Sequence, residues 1–213
     1  MHGASGGGWH SRGYLPHFES SRLTQHVTFH LADSLPENAL LLLNAELKHL
    51  PPEKQNTERR QHVNAWIDAG HGSCVLSKPG IADMVQGSLL IFDSQRYRLF
   101  AWVVMPNHVH VLFEPAAEWK VATIVESWKK FTARKICDGL SDGVGERDGP
   151  VWHREYWDRY IRDRTHFEET VKYIHMNPVK AGLVDRPEKW MWSSAHPGNA
   201  NLPIGAFTGS PKL

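Results

Sequence analysis

Between residues 23 and 31 (LTQHVTFHL) side chains alternate. Gln25, Val27, Phe29 and Leu31 fall on one side, His26, Thr28 and His30 on the other. This period of two predicts a strand with one covered and one polar face. A helix over 40–47 follows, with Ser34 and Glu37 spaced as a capping box. Pro51 and Pro52 then break the chain. Residues 53–69 read as a polar helix closed by Gly70, and 79–92 as a helix with Ile81, Val85, Leu89 and Phe92 on one stripe. Residues 97–105 are apolar on both faces, as expected of a central covered strand. Pro106 and Asn107 are turn residues, and 108–113 is the returning strand. Residues 121–136 form an amphipathic helix with Val121, Ile124, Val125, Trp128 and Phe131 inward. A mobile loop over 138–150 leads to a last, aromatic-rich strand over 151–161. The final helix, 165–177, has Thr165 and Glu168 as its capping box and is stopped by Pro178.

With the segment 51–93 set aside as a helical insertion, the order is β-α-β-β-α-β. That order predicts an α+β fold with a ferredoxin-like antiparallel sheet, extra helices and a C-terminal helix. The expected organisation is a flexible tail over 1–13, one domain over 14–195 and a C-terminal tail over 196–213. The length of 213 residues agrees with a single decorated domain. A hydrophobic share of 41% is enough to fill a core and excludes wholesale disorder.

A net charge of +1 does not announce a nucleic-acid binder, so any such surface must rest on local clusters of Lys and Arg. The two cysteines, Cys74 and Cys137, form no CxxC pair, which fits a reducing compartment. No apolar run is long enough to span a bilayer, and no signal core precedes the domain. The expectation is a cytoplasmic protein without membrane contact.

Candidate chemistry begins at His108 and His110. Two residues apart on a strand, they face the same side, while Val109, Val111 and Phe113 face the other. Such a pair of imidazoles suits one divalent cation, though HxH alone is equally two histidines on a polar sheet face. On the last helix Phe167, Val171 and Ile174 form the apolar stripe, and Tyr173 projects away from it. Asn177 lies one turn beyond, on the same side as Tyr173. A phenol is a nucleophile toward phosphorus once it loses its proton, and a nearby metal assists that loss. The Asn177 amide oxygen would be a third neutral ligand. By itself the Tyr–Asn pair reads more readily as a surface tyrosine and a helix-stop residue.

The segments 101–112 (AWVVMPNHVHVL), 127–134 (SWKKFTAR) and 156–184 (YWDRYIRDRTHFEETVKYIHMNPVKAGLV) together resemble the REP-associated tyrosine transposases. These belong to the single-tyrosine HUH transposase superfamily. The resemblance runs from about Tyr14 to Ser194. It implies that His108 and His110 are the paired histidines of the HUH motif. It further implies that Tyr173 is the catalytic tyrosine and that Asn177 completes a site for Mg²⁺ or Mn²⁺. The implied activity is cutting and joining of single-stranded DNA beside hairpins. A 5′-phosphotyrosine forms and a 3′-hydroxyl is freed, by a monomer or homodimer. Two other readings stay open: a metal-dependent phosphodiesterase without a covalent intermediate, and a DNA-binding regulator with little catalysis.

A basic face on the 121–136 helix, Lys129, Lys130, Arg134 and Lys135, reads as a candidate DNA track extended by Arg159 and Arg162. Trp152, Tyr156, Trp157 and Tyr160 interleave with these charges as candidate base-stacking groups. Lys180 is placed to hold a phosphate or lower the phenol pKa. His26 and His30 share the sheet face of the histidine pair, and Asn107 reads as a turn former.

Overall fold

In the computed structural model, the residues described are 8–11, 16–19, 23–35, 38–141 and 149–199. Two short strands, β1 (Gly8–Ser11) and β2 (Pro16–Glu19), pair antiparallel with each other. The Gly-rich start was expected to be a flexible tail over 1–13; residues 8–11 are strand instead. The rest of that tail, and the C-terminal tail from 200 onward, lie outside the described residues, as does most of the loop expected over 138–150.

The main sheet holds β3 (Gln25–His30), β4 (Tyr97–Val104), β5 (His108–Pro115) and β6 (Trp157–Tyr160) in the order β4-β5-β3-β6. Every pairing is antiparallel. Between β3 and β4 the chain crosses over, and β5 fills the gap it leaves. This is the split arrangement of ferredoxin-like folds, and the α+β expectation holds.

Two helices between β3 and β4, α1 (Ala39–Leu47) and α2 (Pro52–Asp68), form a small core of their own around Leu43, Leu47, Val63 and Ile67. A third, α3 (Pro79–Leu90), buries Ala82, Val85 and Leu89 in the main core. On the same sheet face lies α4 (Val121–Ser141), with Val121, Ile124, Val125, Trp128 and Ile136 buried. These meet Val27, Phe29 and Leu31 of β3 and Val109, Val111 and Phe113 of β5. The crossover helix of the plan is therefore α3, and the true insertion is α1 and α2, narrower and earlier than the expected 51–93. The opposite sheet face is covered by α5 (Arg164–Lys180), through Ile174 against Phe100, Ala101, Val103 and Leu112.

Several expectations need correction. β4 is apolar on both faces but stands at the sheet edge, not its centre. Its faces are covered by helices on either side, and its free edge by the C-terminal segment: Val104 N–H donates to Trp192 O at 2.8 Å and Ser194 N–H to Trp102 O at 3.0 Å. Phe131 is 41% exposed rather than inward. The fully buried position on that turn of α4 is Thr132, whose hydroxyl donates to Trp128 O and accepts from Trp152 Nε1–H at 2.9 Å. The expected last strand is broken. Trp152 bridges Leu31 and His153 N–H donates to His30 O at 2.9 Å; the chain then leaves β3 over 154–156, and pairing resumes at Trp157. α1 begins after Asn38 without a side-chain cap, and Ser34 instead donates to Leu31 O at 2.7 Å. Asp163, not Thr165, caps α5 by accepting from His166 N–H at 2.8 Å. α5 continues through Pro178 to Lys180, three residues past the expected stop. No described helix is long and apolar enough to cross a membrane.

Candidate metal and nucleophile site

Alternation along β5 sends His108, His110 and Leu112 toward α5, and Val109, Val111 and Phe113 toward α3 and α4. The two histidines are 0% and 1% exposed, so they are not rings on a solvated sheet face. Pairing with β3 sets Thr28 opposite His110 and His30 opposite His108. The sheet thus presents a polar stripe beneath α5.

α5 answers with a polar stripe of its own. Its buried positions include His166, Thr170, Ile174 and Asn177, spaced one turn apart, whereas Phe167 and Val171 are only partly buried. The apolar stripe read from periodicity is therefore a flank, and the polar stripe faces the sheet. Tyr173 is half-buried beside it. Its ring centroid is 5.3 Å from that of His110 and 5.9 Å from that of His26. One turn further, Asn177 Nδ2 lies 3.2 Å from His110 Nε2. The phenol, the amide and both imidazoles meet within one chain.

Hydrogen bonding fixes the tautomer of His108. Asn107 Nδ2 donates to Ile67 O at 2.9 Å and His71 O at 3.0 Å, so its Oδ1 is what faces His108 Nδ1 at 2.8 Å. His108 must then carry its proton on Nδ1. His110 Nδ1 lies 2.8 Å from Thr28 Oγ1 and 3.2 Å from His26 Nε2, and the Thr28 hydroxyl can accept from it or donate to it. His108 therefore turns an Nε2 lone pair inward, as does His110 in the tautomer that binds a metal through Nε2, and these two atoms are 3.1 Å apart. Two nitrogens bound at right angles to one cation, each at about 2.1 Å, stand roughly 3 Å apart. Outward N–H groups held by acceptors are the usual support for metal-binding histidines. Burial pushes the His108 pKa down to about 3 and that of His110 well below its ordinary value, with neighbouring histidines adding to both. Both are neutral near pH 7, the form that binds metal.

Two buried oxygens at this spot accept no hydrogen bond from the described residues: Asn177 Oδ1 and Asp68 Oδ1. A half-turn of the Asn177 amide presents its oxygen to His110. Asp68 closes α2, and its Oδ1 is 3.5 Å from His108 Nε2. Asp68, His108 and His110 offer ligand atoms all within 4.8 Å of one another. Nitrogen lone pairs and orphaned oxygens converging on one point fit a divalent cation. The phenol of Tyr173 is pushed above its ordinary pKa, first by burial and then by the Asp68 carboxylate. The chain alone holds it protonated.

His26 and His30 share the stripe but are not in the converging set. His26 lies on the Nδ1 side of His110, and burial lowers its pKa to about 4. His30 donates from Nδ1 to Leu31 O and Ser34 Oγ and stacks on His153 at 4.6 Å. Asp68 was missed by the sequence reading, since no local period reports where an inserted helix ends.

A groove of about 540 Å³ opens beside Tyr173, between α2, β6 and α5. Gln61, Asn64, Trp157, Arg159 and Glu169 are among its walls. The expected cations divide around it. Arg159 lines the groove, whereas Arg162 is not one of its walls and meets His166 through its backbone N–H, 3.3 Å from His166 Nδ1. Lys180 Nζ stands 5.1 Å from the Tyr173 ring centroid. Lys129, Lys130, Arg134 and Lys135 belong to α4, in the layer across the sheet. Lys129 Nζ donates to His153 O at 2.7 Å and Arg154 O at 2.8 Å, and burial lowers its pKa to about 8. Lys130 pairs with Glu126 at 2.8 Å. The four thus lie on the other side of the sheet from the groove. Among the interleaved aromatics, Trp152 is a core residue and Tyr156 packs partly against the core; Trp157 reaches the groove.

Residues 83–177 match the family described as "Transposase IS200 like". A REP-associated tyrosine transposase of Escherichia coli (strain K12) is 28% identical over 102 residues, covering 47% of this chain and 55% of the relative. A Haemophilus influenzae relative is 30% identical over 105 residues, covering 47% of this chain and 60% of the relative. The match thus spans little more than half the length of these curated relatives. A solved REP-associated tyrosine transposase, bound to a REP hairpin, superposes with a TM-score of 0.54 at 17% identity. The alignment covers 96% of this chain and 97% of that one, and shows the shared fold. The chain is similar to the REP-associated tyrosine transposases in both sequence and fold.

Proposed function

We propose that this chain is a transposase-type endonuclease and strand transferase for single-stranded DNA, dependent on Mg²⁺ or Mn²⁺ and cutting beside hairpins. One observation carries the reading: the Tyr173 ring stands against His110 while Asn177, one turn on, bonds the same imidazole. Tyr173 is the nucleophile, and His108, His110 and Asn177 hold the cation. When bound, the cation polarises the phosphate and favours loss of the phenol proton.

Tyr173 Oη attacks phosphorus, and the bond from phosphorus to the 3′ oxygen breaks as the new one forms. The phenol gives up its proton, and the departing 3′ oxygen takes one up. A 5′-phosphotyrosine and a free 3′-hydroxyl result. Attack by a second 3′-hydroxyl reverses the step and rejoins a strand without ATP. Arg159 and Arg162 are suited to the strand's phosphates as it runs through the groove, and Trp157 offers a ring to an unpaired base. The relative whose solved structure carries a REP hairpin supports a hairpin substrate here. Because Tyr173 reaches its own chain's histidines, the working unit is a monomer.

The test is covalent capture. The protein and its Tyr173→Phe variant are incubated with end-labelled hairpin DNA from the flanks of the gene, with Mn²⁺ or EDTA. A labelled adduct is expected only for the unmodified chain with Mn²⁺. Strand cutting retained by Tyr173→Phe identifies a phosphodiesterase without a covalent step. Hairpin binding indifferent to EDTA, with no cutting, identifies a regulator.

A further inference from the structure

The insertion α1–α2 has no place in the ferredoxin-like plan, yet α2 ends against the histidine pair. Its last residue, Asp68, is half exposed as a side chain, but its Oδ1 is buried and accepts no hydrogen bond from the described residues. His108 Nε2 lies 3.5 Å from that oxygen. The Asn107 bonding pattern leaves that nitrogen without a proton, so the contact is not an ion pair. Two electron-rich atoms face each other, and His110 Nε2 stands 3.1 Å from the same His108 nitrogen. Burying such groups together costs free energy unless a cation lies between them.

The approach is anchored. Asn107 donates to Ile67 O, one residue before Asp68, and to His71 O just after the helix. The same side chain accepts from His108. One residue thereby sets both the orientation of the imidazole and the position of the helix end.

We propose that Asp68 is a further ligand of this site's cation, supplied by the inserted helix; this rests on the metal-site reading above. Its carboxylate changes a ligand set of neutral groups into one bearing a negative charge. The cation is held more tightly as a result. Two imidazole nitrogens with carboxylate and amide oxygens form a mixed set that accommodates Mn²⁺.

The experiment titrates Mn²⁺ into the full chain by calorimetry, without DNA, and compares Asp68→Asn, Asp68→Ser and His110→Ala. Unfolding in EDTA checks that each variant is folded. The expected result is one Mn²⁺ per chain, with both Asp68 variants weaker by about tenfold or more and thermal unfolding in EDTA little changed. Asp68 variants that bind Mn²⁺ as tightly as the unmodified chain, while His110→Ala loses it, overturn the carboxylate ligand and leave the histidine site standing. An unmodified chain that takes up no Mn²⁺ overturns both.

Discussion

Asn107 accepts a hydrogen bond from His108 at 2.8 Å while its amide nitrogen holds two carbonyls at the end of α2. A turn former by sequence is thus the joint between the sheet and the insertion. Asn107→Ala removes the acceptor that fixes the His108 tautomer, which is expected to weaken Mn²⁺ binding by about 10–100-fold. It also removes the two hydrogen bonds from Nδ2 to Ile67 O and His71 O, at a cost of roughly 0.5–1.5 kcal/mol each. Calorimetry with Mn²⁺ and urea unfolding in EDTA read the two effects separately. Unchanged metal affinity would remove the tautomer argument.

The site was legible in the sequence where its logic is local. Alternation alone places His108 and His110 on one face, and a four-residue step alone stacks Asn177 on Tyr173. The reading went astray wherever apolarity was taken as the mark of burial. His166, Thr170 and Asn177 are buried because the sheet beneath them is polar, and a hydrophobic stripe cannot report that. Asp68 was invisible because a helix's docking partner is a tertiary fact. The role of α3 was misassigned for a related reason. Both α1 and α3 carry enough leucine and isoleucine to cover a sheet, and only packing decides which one does.

Arg159 and Arg162 should matter to DNA binding more than the α4 cations. Arg159→Ala is expected to reduce hairpin affinity and to lower the slope of log K against log[salt] by about 1. Lys130→Ala, Arg134→Ala and Lys135→Ala act across the sheet and should leave that slope nearly unchanged. Fluorescence anisotropy over a salt series measures both sets. Equal losses from the two would place the strand on the other layer.

Activity should not be shared between chains. Tyr173→Phe keeps the histidines, and His110→Ala keeps the phenol. If the tyrosine serves its own chain, an equimolar mixture of the two forms no DNA adduct. Restored adduct would mean that α5 is exchanged between subunits, with a dimer as the working unit. The covalent-capture assay answers this directly.

Acid should unfold the protein by way of its buried histidines. Burial holds the pKa of His30 at about 3, with nearby His153 lowering it further, and burial likewise takes His26 to about 4. In the unfolded chain these rings titrate near 6.5. Above that pH both states are neutral and the contribution to stability is present in full. As pH falls below about 6.5, the unfolded chain binds protons that the folded chain refuses, so stability falls until the folded values are reached. Each such histidine contributes up to about 1.4 kcal/mol per pH unit. Urea unfolding in EDTA at pH 7, 6 and 5 should show this decline, shallower by about one proton in His30→Gln. That variant also loses the bond to Leu31 O, so it should be weaker at pH 7 yet lose less on acidification. A decline of equal steepness in both proteins would mean that His30 takes up its proton in the folded state, in spite of its buried place against His153.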